Sequence, residues 1–169
     1  MLVRRYSEVT SSCMLGVVPQ AIDVQVHLTS GLPAFHIVGL ADTAVKESHR
    51  RVTAALKNSG FSVPQGIITV NLAPALIAKS GTGFDLAIAI GILLADGVLP
   101  PDSFSNHIIV GELGLNGSVS NVRGMVGFGM LAAGRDEHIS CANPFIFDGL
   151  LDIRALQISH LSDLQTLIL

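Results

Sequence analysis

A lysine, a serine and a threonine are crowded into one glycine-punctuated turn, Lys79-Ser80-Gly81-Thr82-Gly83. The turn follows an apolar stretch and precedes an apolar run, which reads as strand, turn and buried helix over residues 68–100. Two chemistries fit such a turn. Glycines let backbone N–H groups converge, and a helix N-terminus just beyond favours an anion. A Ser80 or Thr82 hydroxyl within reach of a base becomes a nucleophile. The nucleotide-binding loop needs G-x-x-x-x-G-K-[ST], which does not occur here, and Lys79 precedes the glycines. A tight strand-to-helix connection explains the same residues without any chemistry.

Other candidates are more scattered. The histidines, at 27, 36, 49, 107, 138 and 160, show no metal-binding spacing, and lone histidines of this kind are usually structural. Cys13 and Cys141 form neither a CxxC motif nor a disulfide framework, so they read as free thiols in a reducing compartment. Lys46, Arg50, Arg51 and Lys57 supply four of the ten basic residues within one helical stretch. Lys46, Arg50 and Lys57 share a face at 3.6 residues per turn, which suits phosphates or an acidic partner. The plainer reading is a solvated helix face with a weak i, i+4 pair between Glu47 and Arg51. Glu112 is a lone acid at a strand end beside Asn116-Gly117, a hairpin signal.

The bulk numbers narrow the class. A chain of 169 residues is expected to form one domain, residues 1–169, with a sizeable core. Hydrophobic residues make up 49% and charged residues 14%, a dry composition that implies covered surface in the native setting. A net charge of −3 gives no overall basic field. The longest apolar run, residues 86–95, is too short to span a bilayer and is bracketed by Asp85 and Asp96. With no apolar signal core at the N-terminus, the reading is a cytoplasmic protein without membrane partners.

The elements that position these residues follow from periodicity. Strands are expected at residues 9–17, 22–28, 35–38, 67–72, 108–111, 139–142 and 156–158. One helix should open at Asp42, capped by Asp42 or Thr43, and end at Gly60. Others are expected at 85–95, apolar nearly all round and therefore central, at 124–133 and at 162–169. Strands with helices between them indicate a mixed sheet with helices packed on it, an α+β or α/β sandwich.

Three segments in order carry a more specific signal: GLPAFHIVGLADTAVKESHRRVTAALKNSGF, then ITVNLAPALIAKSGTGFDLAIAIGILLADGVLP, then GELGLNGSVSNVRGM. Together they resemble the N-terminal domain of the magnesium-chelatase-like AAA+ ATPases, the family of the competence protein ComM, also called YifB. The resemblance covers nearly the whole chain and implies a fold similar to the proteolytic domain of Lon protease, a ribosomal-protein-domain-like arrangement. It also implies that an AAA+ ATPase module, the part needing ATP and magnesium, follows this domain and lies outside this chain. No cofactor or metal is expected within it.

The Lon likeness carries a test. Lon's serine lies in a G-P-S-A-G turn before the central helix, and that position matches Gly83. Its lysine follows a G-E-x-T-L-x-G strand, and that position matches Val126. Arg123 is the nearest basic residue there and stays protonated, so it is a poor base. A one-residue slip would place Thr82 at the nucleophile, still without a lysine. The resemblance thus implies a non-catalytic accessory domain within a hexameric, ATP-driven motor on branched DNA in transformation and recombination. Its expected partners are its own ATPase module, neighbouring subunits and single-stranded or branched DNA. Lys46, Arg50, Arg51 and Lys57 are the candidate DNA contacts, with Lys79 as an outlier. The alternatives are a magnesium-chelatase-type ATPase subunit and a residual serine or threonine peptidase.

Overall fold

The computed structural model describes residues 5–168. Strands β1 (Tyr6–Leu15) and β2 (Val18–Thr29) form a long antiparallel hairpin turned at Gly16, whose φ of 62° suits glycine. Next come β3 (Ala34–Val38), α1 (Thr43–Lys46), α2 (Ser48–Asn58), β4 (Ile67–Ala73) and the central helix α3 (Asp85–Ala95). The second half holds β5 (His107–Ile109), the small hairpin of β6 (Glu112–Leu113) and β7 (Val119–Ser120), α4 (Met125–Gly134), β8 (His138–Cys141) and β9 (Ala155–Gln157). Seven strands make one mixed sheet in the order β3-β4-β2-β1-β5-β8-β9. Helices cover it on both sides, so the expected α+β sandwich is the architecture found.

Period-two alternation fixes which face each strand buries. Ile22, Val24, Val26 and Leu28 of β2 and Ile68, Val70 and Leu72 of β4 point into the main core beneath α3. Ile108, Val110, Ile139 and Cys141 point the other way, against Met125, Phe128 and Ala132 of α4. Between Ile108 and Val110, Ile109 faces α3, as one-residue alternation requires.

Helix α3 has no polar face and all eleven of its residues are buried. It lies flush on the sheet because residue 91 is glycine: a Cβ there would stand 2.7 Å from Val26 Cγ2. The Ser7 hydroxyl donates to the Gly91 carbonyl at 2.6 Å, tying β1 to the helix at its closest approach. Overfilling such a contact costs about 1–3 kcal/mol, so Gly91→Ala is a direct way to lift the helix.

Two expectations need correction. The helix opened by Asp42, whose carboxylate accepts from Val45 N–H at 2.8 Å, is interrupted at Glu47. There Arg50 N–H bonds the Glu47 carbonyl at 3.0 Å, a tighter turn than α-helix, and α2 starts afresh at Ser48. The last element, Leu161–Leu167, is a 3-10 helix rather than an α-helix. His160 and Asp163 form its capping box, with Asp163 Oδ2 accepting from His160 N–H at 3.1 Å. The remaining elements fall within a few residues of their expected bounds.

Candidate functional site

The turn at residues 80–84 forms one wall of a cleft of about 540 Å³. The end of β1, with Ser12, Cys13 and Met14, forms a second wall, and Asn121, Val122, Arg123 and Gly124 form a third. Inside it the Thr82 hydroxyl donates a short hydrogen bond to Glu112 Oε2. A nucleophile-and-base reading of the cleft therefore rests on a threonine held by a carboxylate. The carboxylate also disfavours an anion at the turn, while exposed Arg123 favours one from the opposite wall.

Gly83 offers no side chain, and a Cβ built there would meet Val122 Cγ2 at 3.2 Å. Val126 lies in the first turn of α4 and is exposed. Ser80 is exposed on the rim, and Gly81, with φ of 84°, is open to solvent. Cys13 lines the cleft, but burial pushes its thiol up against the opposing influence of the Lys79 charge, which leaves it protonated. Cys141, buried in the second core, is pushed up to about 11 by burial. Both cysteines are free and neither is set up as a thiolate.

Lys79 is the residue that sequence reading placed least well. It does not line the cleft and is 1% exposed. Its ammonium donates to the Gly39 carbonyl at 2.6 Å and, through a short bond, to that of Pro74. Its backbone pairs with the other loop too: Lys79 N–H reaches Leu40 O and Asp42 N–H reaches Lys79 O, both at 3.0 Å. Burial lowers its pKa. Lys79 stitches the loop after β3 to the loop after β4, and no phosphate can reach its ammonium.

At the head of α3 is a polar network that the sequence reading missed. The fully buried Asp85 accepts from Ser48 Oγ at 2.5 Å, from Arg51 Nε at 2.7 Å and Nη2 at 3.1 Å, and from Leu113 N–H at 3.1 Å. Burial raises the Asp85 pKa, and the bonds from Arg51, Ser48 and Leu113 oppose that rise. The hydrogen bond to Asp85 raises the Arg51 pKa in turn, so the guanidinium keeps its charge. Arg51 therefore pairs with Asp85 across 34 residues of sequence, not with Glu47 one turn away. The signal was present: Asp85 is a lone acid opening an otherwise apolar helix.

The other cations separate. Lys46 and Arg50 are exposed and line one shallow hollow with Thr43 and His49. Lys57 is exposed at the far end of α2 and lines another with Ala34, Phe35 and Phe61. Among the described residues, none of these three forms a salt bridge. Two of the histidines serve structure: His107 Nδ1 meets Ser140 Oγ at 2.8 Å, and His160 ties Ser162 to Asn116. No three His, Cys, Asp or Glu side chains gather as a metal site among the described residues. No helix among them is long and apolar enough to cross a membrane.

Fold and site together define an α+β domain built on one wholly buried helix, with a polar bolt at its head and a cleft beside it. The chain belongs to the family described as subunit ChlI of Mg-chelatase, whose family model matches residues 24–142. It is 42% identical over 120 residues to the uncharacterized protein YifB of Escherichia coli, a match covering 71% of this chain and 24% of that protein. The competence protein ComM of Haemophilus influenzae is 43% identical over 118 residues, covering 70% and 23%. An uncharacterized protein of Mycobacterium tuberculosis is 40% identical over 126 residues, covering 75% and 25%. The matched region is about a quarter of the length of these relatives.

Proposed function

We propose that this chain is a non-catalytic accessory domain of a ComM-like AAA+ ATPase, working through its surfaces rather than through a reaction. The observation that carries this reading is the chemistry of the cleft. Its one pairing of hydroxyl and acid is Thr82 with Glu112, the position matched to a Lon-like serine is Gly83, and the buried Lys79 ammonium is spent on two carbonyls. A serine–lysine mechanism needs an amine base within reach of the hydroxyl, and no lysine lines the cleft.

In this reading ATP and magnesium belong to an ATPase module outside this chain, and the whole protein drives DNA branch migration in transformation and recombination. The domain contacts that module, neighbouring subunits or single-stranded and branched DNA. Lys46, Arg50 and Lys57 are exposed cations outside the salt bridges and are the ones this reading sets against an acidic surface, while Arg51 anchors α2, which carries Arg50 and Lys57. The family description supports a second reading, a magnesium-chelatase-type ATPase subunit, which a chelatase assay with partner subunits tests.

The test of the non-catalytic reading is exposure to a fluorophosphonate probe followed by peptide mass spectrometry. No adduct is expected. An adduct on Thr82 or Ser80 would overturn the reading.

A further inference from the structure

The β1–β2 hairpin decides which way each backbone group of β1 points. Leu28 N–H bonds the Arg5 carbonyl at 2.8 Å, and the register then runs unbroken to Leu15 with Val18. In an antiparallel pair, alternate residues bond across the ladder and those between turn outward. Odd-numbered residues of β1 therefore bond β2. Thr10, Ser12 and Met14 turn their N–H and C=O groups to the other side.

Thr10 meets Ile108 of β5 there. Beyond that pair β5 leaves. Val110 N–H goes to the Ser140 carbonyl and Gly111 N–H to the Gly83 carbonyl, both at 3.0 Å. Gly111 N–H is the donor that a continued parallel ladder would give to the Ser12 carbonyl. Among the described residues, the Ser12 carbonyl and the Met14 N–H and C=O therefore meet no backbone partner. Ser12, Cys13 and Met14 wall the cleft, so this open stretch of strand edge looks into about 540 Å³ of space. The facing turn adds donors, since the N–H groups of Gly81, Thr82 and Gly83 take no backbone acceptor among the described residues.

Donors and acceptors alternating at strand spacing select an occupant. One residue of an extended peptide laid parallel to β1 donates its N–H to the Ser12 carbonyl and accepts from Met14 N–H. Charge refines the choice. Arg123 is exposed and lies outside the salt bridges among the described residues. Lys79 is buried, yet its charge is felt at Cys13. Glu112 is the opposing acid, half-buried and engaged by the Thr82 hydroxyl. Two cations against one engaged carboxylate favour an acidic side chain on the occupant.

We propose that the cleft is a docking groove for an extended, acid-bearing peptide segment of a partner protein, added as a strand along residues 12–14 in the place that β5 vacates. Docking of this kind rests on the accessory-domain reading and gives the domain a class of partner.

Nuclear magnetic resonance on the whole 169-residue chain tests the groove. In the free protein, Met14 N–H should exchange with solvent at least about tenfold faster than Cys13 and Leu15 N–H, which bond β2. The probe is a mixture of end-blocked pentapeptides with a central aspartate and flanks drawn from valine, threonine and serine. At about 1 mM it should shift and protect the Met14 amide. The same mixture methylated on every backbone amide should do neither. A central lysine should weaken binding about tenfold, and Arg123→Glu should invert that order. Circular dichroism verifies the fold of the variant. A Met14 amide already as protected as its neighbours, no shift with the aspartate mixture, an equal shift with the methylated one, or indifference to Arg123→Glu would overturn the groove. None of these outcomes touches the non-catalytic reading, which stands or falls on probe labelling.

Discussion

The guanidinium of Arg51, in α2, closes on the carboxylate of Asp85, the first residue of α3, through Nε at 2.7 Å and Nη2 at 3.1 Å. The same carboxylate accepts from Leu113 N–H, so one buried charge joins two helices to the β6–β7 hairpin. That hairpin carries Glu112 to Thr82, and the wall of the cleft depends on the bolt.

Removing one partner of a buried ion pair strands the other. Arg51→Met is expected to cost about 3–5 kcal/mol in urea unfolding, and Asp85→Leu similarly. Lys46→Ala, on the exposed face of the same helical region, should stay within about 0.5 kcal/mol. Equal costs for Arg51→Met and Lys46→Ala would show that the pair is not structural.

Lys79→Met takes the donor from the Gly39 and Pro74 carbonyls. A buried carbonyl left unpaired costs about 1–3 kcal/mol. The expected result is faster amide exchange at residues 39–42 and 74–79, with α3 protected as before. Unchanged exchange in both loops would argue against the stitch.

DNA binding, if it runs through the basic helix, should obey counterion release. Lys46→Ala with Arg50→Ala should lower the slope of log K against log salt by about 1.4–1.8, roughly one phosphate contact each. Lys79→Met should leave the slope unchanged, since its ammonium is buried. Fluorescence anisotropy with single-stranded and forked oligonucleotides measures both, and a slope indifferent to Lys46 and Arg50 would remove them from the interface.

His107 gives the fold a pH dependence. Burial lowers its pKa, the neighbouring His138 charge lowers it further, and Glu137 opposes. The ring also touches Ser140 and lies edge-on to Phe104. The folded state thus binds this proton less readily than the unfolded chain. The contribution to stability is full above the ordinary imidazole value of about 6.5 and is lost as pH falls below it. Melting temperature should drop between about pH 7 and 5.5, and His107→Gln should flatten the drop.

Much of this was legible from residue order. The unbroken apolar run of α3 gives that helix to the residue, and alternation gives residues 22–28 of β2, the middle of a strand that runs from Val18 to Thr29. Asp42 announces its cap and Asn116-Gly117 its hairpin. What stayed hidden depends on side chains distant in sequence. The i, i+4 rule offers Arg51 only Glu47, whereas folding offers it a desolvated carboxylate with no other cation. A lysine in a glycine turn looks solvent-facing until the loop after β3 folds across it. The break at Glu47 turns on one 3-10-type bond, which propensity does not encode.

Strand β1 is held very differently on its two sides. Against β2 it keeps ten register pairs, from Tyr6 with His27 to Leu15 with Val18. Against β5 it keeps one, Thr10 with Ile108, supported by the Ser11 hydroxyl on the Ile109 carbonyl at 2.6 Å. The sheet is therefore a thick plate and a thin plate welded along a short seam. A pull that separates β2 from β8 meets its least resistance there, and torque applied at one end would reach the other chiefly through α3, the beam beneath β1 and β2.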